Sequence, residues 1–270
     1  MKRLCLLSIC LFGFYWMLLA QEHPAEAEYR QQDSLLQEWW NRRQEESYRY
    51  LEQHPDQLDS IRERTDEDLR ELLRQTIALA TRYASTSGGM ERLFAVRQYV
   101  PKDTLTRILL SVNPEMQASF HGKTLKAYVE TRQIQPGDTL FRFPCTQTDG
   151  KAFDWGITQD KQILLIYGGL GCMGEEERRE LKRLQSQISE KDFLLLIYYP
   201  CRSLEELKQW EERYPFNAVF ISDFKENDSP MKIKYDAQAT PTCFLTDRKH
   251  RLQVRCTGLD TQQLNPHILR

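Results

Sequence analysis

The residues best able to do chemistry in this sequence are its seven cysteines. Cys5 and Cys10 fall in an apolar N-terminal run. The other five are Cys145, Cys172, Cys201, Cys243 and Cys256. In an exported chain an odd number leaves at least one thiol unpaired, or paired between chains. Cys172 is set apart by its surroundings, ILLIYGGLGCMGEEERRE from Ile163 to Glu180. The apolar run Ile163 to Tyr167 has the length of a buried strand. A glycine-rich turn follows from Gly168 to Gly171. Beyond Cys172, Leu181, Leu184 and Ile188 recur at helical spacing. The cysteine therefore stands where a strand hands over to a helix start. Unpaired amides there favour a thiolate, which is the reactive form of cysteine.

The same stretch resembles the strand, active-site turn and first helix of a thioredoxin-like thiol-disulfide oxidoreductase. The flavour is the exported TlpA, ResA and AhpC type found in Bacteroidetes. The family turn reads W-C-x-x-C. Laid on this chain, Cys172 takes the place of the nucleophilic first cysteine, Glu175 that of the second, and Gly171 that of the tryptophan. The turn is thus a degenerate C-x-x-C, Cys-Met-Gly-Glu. A second mark is Thr240-Pro241-Thr242 within ATPTCFLTD. It resembles the family segment in which a threonine precedes a cis-proline facing the cysteine. The resemblance covers residues 136 to 262 and implies a site built from Cys172, Thr240 and Pro241.

Three readings of Cys172 stay open. It is a nucleophile whose resolving thiol lies elsewhere. Cys201 is the first internal candidate, because its turn follows the strand Phe193 to Tyr198, which the family places beside the strand leading to Cys172. Cys243 is the second, through its closeness to Pro241. Alternatively Cys172 is a lone peroxidatic cysteine, although that motif wants a threonine at the position of Gly169 and a proline at Leu170. In the third reading the site is degenerate and the fold serves as a binding or scaffold module. Glu175, Glu176 and Glu177 would compete with a thiolate for the positive end of the helix.

Other chemistries find little support. GGLGCMG lacks the lysine with serine or threonine that ends a phosphate loop. His23, His54, His121, His250 and His267 are scattered, and none pairs with a cysteine at metal-ligand spacing. His250 reads as a solvated turn residue. No cofactor or metal is implied. The formal net charge of -2 argues against nucleic acid or a basic membrane-binding surface.

The elements that position Cys172 alternate. Strand 163 to 167 leads to a helix over 173 to 188. Strand 193 to 198 leads to a helix that Ser203 and Glu206 cap, with Leu204, Leu207 and Trp210 as its buried stripe. Short strands are expected at Ala218 to Ile221, Thr242 to Thr246 and Leu252 to Cys256, with a turn from Asp247 to His250. Met231 to Tyr235 takes a short helix in the family. Upstream, alternation at Leu140 to Phe143 and the pair Asp149-Gly150 suggest a small hairpin. Such alternation argues for an α/β sheet with parallel members and helices on its faces, and the resemblance implies a thioredoxin-like domain with a central mixed sheet flanked by helices.

Residues 21 to 134 read as all-helical. Leu35, Leu36, Trp39 and Trp40 share a first helix that ends before Pro55. Thr65 with Asp68 resembles a capping box opening a second, which Gly88 and Gly89 would end. Met90 to Tyr99 and Lys102 to Leu110 follow. Asn113-Pro114 is a good helix start, and Lys123 to Arg132 is the last. No catalytic constellation occurs in this region.

Met1 to Ala20 has a short basic start and an apolar run from Leu4, and reads as a signal peptide cut after Ala20. Uncleaved, residues 4–20 would anchor the chain to the inner membrane. The expectation is therefore a periplasmic protein: a signal peptide over 1–20, a helical domain over 21–134 and a thioredoxin-like domain over 135–270. Its partners would be protein thiols or disulfides of the cell envelope, acted on by thiol-disulfide exchange or held by a non-catalytic module. Substrate and oligomeric state are not legible in the residues.

Overall fold

A computed structural model describes residues 24–186 and 188–268. The expected signal peptide lies outside the described residues. The chain divides between Lys126 and Ala127 into two compact units: an all-helical one, and a thioredoxin-like α/β one.

The helices are α1 (Pro24–Gln53), α2 (Leu58–Arg82), α3 (Ser87–Val96), α4 (Lys102–Ser111), α5 (Pro114–Ala118) and α6 (Phe120–Glu130), the last running across the division. Asn113 caps α5 as expected, accepting from the Met116 amide at 2.8 Å. Two expectations are corrected. Thr65 does not open α2 but lies inside it. The residues from Leu58 onward contain no helix breaker, so the helix starts seven residues earlier, after the turn at Pro55. Asp68 accepts two hydrogen bonds from Arg43, each 2.9 Å, instead of closing a capping box. Gly88 and Gly89 do not end a helix; they lie in the first turn of α3. Thr86 caps that turn, accepting from the Gly89 amide. A side chain at Gly89 would stand 2.0 Å from the Tyr83 carbonyl oxygen, so the bare backbone permits the tight passage from α2 to α3.

The second unit holds β1 (Thr146–Gln147), β2 (Gln162–Tyr167), α7 (Glu175–Ser186), β3 (Phe193–Tyr198), α8 (Leu204–Arg213), β4 (Val219–Ser222), α9 (Pro230–Ile233), β5 (Thr242–Thr246), β6 (Leu252–Thr257) and α10 (Thr261–Leu264). The six strands form one sheet in the order β1-β4-β3-β2-β5-β6. The strands β2, β3 and β4 run parallel, while β5 lies antiparallel beside β2, β6 antiparallel beside β5, and β1 antiparallel beside β4. Every residue of β2 is buried, which accounts for its unbroken apolar run. Leu164 and Ile166 pack on one face with Leu181 and Leu207. Ile163, Leu165 and Tyr167 pack on the other with Phe143, Met231 and Tyr235.

The turn at Asp149-Gly150 is a small hairpin, with Thr146 bridged to Ala152 and Gly150 at φ +83°. Leu140 and Phe143 are buried and Phe141 is exposed, but this stretch forms no strand; Leu140 docks on the His250 carbonyl. His250 itself is a further correction. It is buried, not solvated. Its Nε2 lies 2.7 Å from the Thr158 carbonyl oxygen and its Nδ1 2.8 Å from an Arg142 nitrogen. A carbonyl only accepts and a guanidinium only donates, so the neutral ring carries its proton on Nε2. The ring thereby ties the β5–β6 turn to the preceding loops.

Candidate active site

Strand β2 ends at Tyr167 and the chain turns on Gly168 and Gly169, at φ +54° and +78°. Both face the loop before β5. A Cβ on Gly168 would meet the Thr240 methyl at 3.1 Å, and one on Gly169 would lie 2.3 Å from the Pro241 nitrogen. Only glycine combines these dihedrals with that approach. The Gly168 amide is fixed by the Tyr198 carbonyl at 2.7 Å, and the Cys172 and Met173 amides close on Gly169 O at 2.9 and 3.0 Å. Leu170 and Met173 point into the core as anchors. Cys172 is left exposed between them.

The Thr240–Pro241 bond is cis. Cys172 Sγ lies 3.8 Å from Thr240 Oγ1, a long contact in which either atom can donate. Pro241 is buried beneath and Thr240 is exposed. Three of the four expected site residues, Cys172, Thr240 and Pro241, thus meet. Helix α7 starts at Glu175, so Cys172 sits in the turn before it. The Glu177 carboxylate accepts from the Gly174 amide at 2.8 Å, occupying that end of the helix. Glu175 is exposed.

Cys201 follows β3, which is the parallel neighbour of β2. Its thiol is buried, faces the Ser203 carbonyl at 3.6 Å, and is pushed up in pKa by that burial. Cys243 stands directly opposite Cys256 on β5 and β6. A hydrogen bond between the two thiols, with burial, raises the Cys243 pKa; the same bond lowers that of Cys256 against its burial. Burial also drives the Cys145 thiol well above the usual range. All five are free thiols.

Aromatic residues that sequence reasoning did not place at the site flank the turn. Tyr199, Trp210 and Tyr214 stack, with centroids 4.3 and 5.9 Å apart. The Tyr214 hydroxyl would stand 2.9 Å from a Cβ on Gly171. Helical spacing revealed Trp210 as an inward-facing position of α8, but not which turn it would reach. Arg178 Nη1 donates to the Leu170 carbonyl at 3.2 Å and to that of Met173, clamping the turn from α7. Among the described residues, no helix is long and apolar enough to cross a membrane, and no group of three or more ligating side chains is placed to hold a metal.

No family model matches the sequence, and no curated relative does. Solved structures of similar fold include a thiol-disulfide oxidoreductase from Bacteroides fragilis, 19% identical, covering 49% of this chain and 98% of its own, with a TM-score of 0.41. The thioredoxin domain of a thiol-disulfide oxidoreductase from Bacteroides vulgatus is 14% identical, covers 51% and 100%, and scores 0.44. A thiol peroxidase from Chromobacterium violaceum is 13% identical, covers 50% and 86%, and scores 0.41. The likeness is one of fold.

Proposed function

We propose that the second unit performs thiol-disulfide exchange on exported proteins in the periplasm, with Cys172 as the attacking sulfur. The observation that carries this reading is the exposure of Cys172 beside Thr240 and Pro241, while the other four thiols of the described chain are buried. The Cys172 thiolate attacks one sulfur of a partner disulfide. A Cys172–partner bond forms, the partner's own bond breaks, and its second sulfur leaves as a thiolate that takes up a proton. A second thiolate then attacks the Cys172 sulfur, forming a new disulfide with it and releasing the partner as a thiol. That thiolate comes from a partner protein or, inside the chain, from Cys201 once its turn opens.

A non-catalytic binding module is the second reading. It is favoured by Glu175, a carboxylate where a C-x-x-C turn carries its second sulfur.

Incubation with glutathione disulfide, followed by intact mass measurement, separates the two. Exchange predicts one glutathionyl adduct, on Cys172, formed rapidly, absent in Cys172→Ser and reversed by reduced thiol. An adduct forming no faster than on the unfolded chain would leave only the binding reading.

A further inference from the structure

Beside the Cys172 turn lies an open cavity of about 440 Å³ between α7 and the end of α8. Four cations border it: Arg178, Arg179 and Lys182 from α7, and Arg213 from α8. Lys182 lies four positions from Arg178 and three from Arg179, so it shares a stripe of the helix with both. Among the described residues none of the four forms an ion pair; Glu177 is engaged on the Gly174 amide and Glu180 on Arg183, while Glu176, Glu211 and Glu212 do not line the cavity. Aromatic faces hold Lys182 and Arg213 instead. Lys182 Nζ lies 5.5 Å from the Phe216 ring centroid, and Arg213 Cζ lies 5.6 Å from Tyr214 and 5.7 Å from Trp210. Ring faces position a cation without neutralising it. One carboxylate, Glu175, stands at the rim.

We infer that this cavity binds an acidic peptide segment of the protein presented to Cys172. The inference rests on the exchange reading and adds the class of partner. The cavity adjoins the turn directly, because Arg178 donates to the Leu170 and Met173 carbonyls and Tyr214 faces Gly171. The stripe from Glu175 to Lys182 runs roughly 10 Å along the helix axis. That is the reach of about three extended residues. Spread charges and flat rings suit a chain of carboxylates lying across the surface; a single phosphate would call for donors converging on one point.

The test uses the full chain and a fluorescein-labelled nonapeptide with glutamates flanking a central serine. Peptides with glutamine or lysine in place of the glutamates serve as controls, and binding is followed by anisotropy. The acidic peptide is expected to bind at least tenfold more tightly than either control. Arg179→Glu with Lys182→Glu, both exposed positions, removes that preference, and so does a rise from 0.05 to 0.5 M salt. Equal binding of the glutamine peptide, or unchanged binding by the double variant, overturns the inference. The peptide has no thiol, so the result is independent of Cys172. A protein that forms the glutathionyl adduct but ignores the acidic peptide keeps exchange and loses this partner class. One that binds the peptide and forms no adduct does the reverse.

Discussion

Gly169 and Pro241 approach so closely that a Cβ on the glycine would lie 2.3 Å from the proline nitrogen and 2.6 Å from its Cα. Backbone atoms on one side and a positive φ on the other leave no direction for relief. Gly169→Ala is therefore expected to destabilise the second unit by at least about 1–3 kcal/mol, the usual cost of a non-glycine residue held in such a conformation. Chemical denaturation with near-ultraviolet detection checks this; an unchanged midpoint would show that the two loops are not in contact.

The thiols should react in a fixed order. Burial raises the pKa of Cys145 and Cys201, and the Cys256 hydrogen bond with burial raises that of Cys243. Little thiolate is then present on these three at pH 8. Iodoacetamide labelling of the native protein at that pH, read by peptide mass mapping, should mark Cys172 first. It should reach Cys145, Cys201 and Cys243 at least tenfold more slowly, until denaturant makes the rates equal.

Tyr198 carries a structural hydroxyl. It donates to Asp223 Oδ1 at 2.5 Å and lies 2.9 Å from Ser229 Oγ, while Asp223 Oδ2 has no partner among the described residues. Tyr198→Phe removes that donor from a half-buried carboxylate. A loss of about 1–3 kcal/mol is expected, the net worth of a hydrogen bond to a charged group, since Oδ1 keeps only the Lys225 amide at 3.1 Å. Tyr198→Phe with Asp223→Asn should recover part of it, because an amide carries no unpaired charge.

Asp138 gives the acid response a definite sign. Arg132, and then the Gln135 amide, lower its carboxyl pKa below the ordinary value. Across that interval the unfolded chain binds more protons than the folded one. The pair therefore stabilises the fold above the ordinary carboxylate pKa of about 3.9, and that contribution is lost as pH falls through the lower folded value. Asp138→Asn should lower the melting temperature at pH 7, and by less as the pH is taken down through the acid range.

Sequence patterns showed most of the second unit because its signals are local. β2 and β3 are unbroken apolar runs, Ser203 caps α8, and Thr240-Pro241 opens β5. What they did not show depends on contacts distant in sequence. Asp68 looked like a cap until Arg43, 25 residues earlier, was seen to hold it. Gly88 and Gly89 looked like a stop, since glycine composition cannot distinguish a chain leaving a helix from one squeezing into the next. His250 looked solvated because nothing nearby in sequence announces Thr158, 92 residues away. The pairing of Cys243 with Cys256 needed the β5–β6 register, which the turn length alone did not specify.

The exposed place of Glu175 has one more consequence. The glycines, the cis-proline and the buried anchors that shape the turn are all fixed by packing, whereas the position three residues after Cys172 faces solvent at the first residue of a helix. Frame and chemistry are thus decoupled. A substitution at Glu175 would change one exposed side chain and leave the packing of Gly169, Leu170, Met173 and Pro241 as it is.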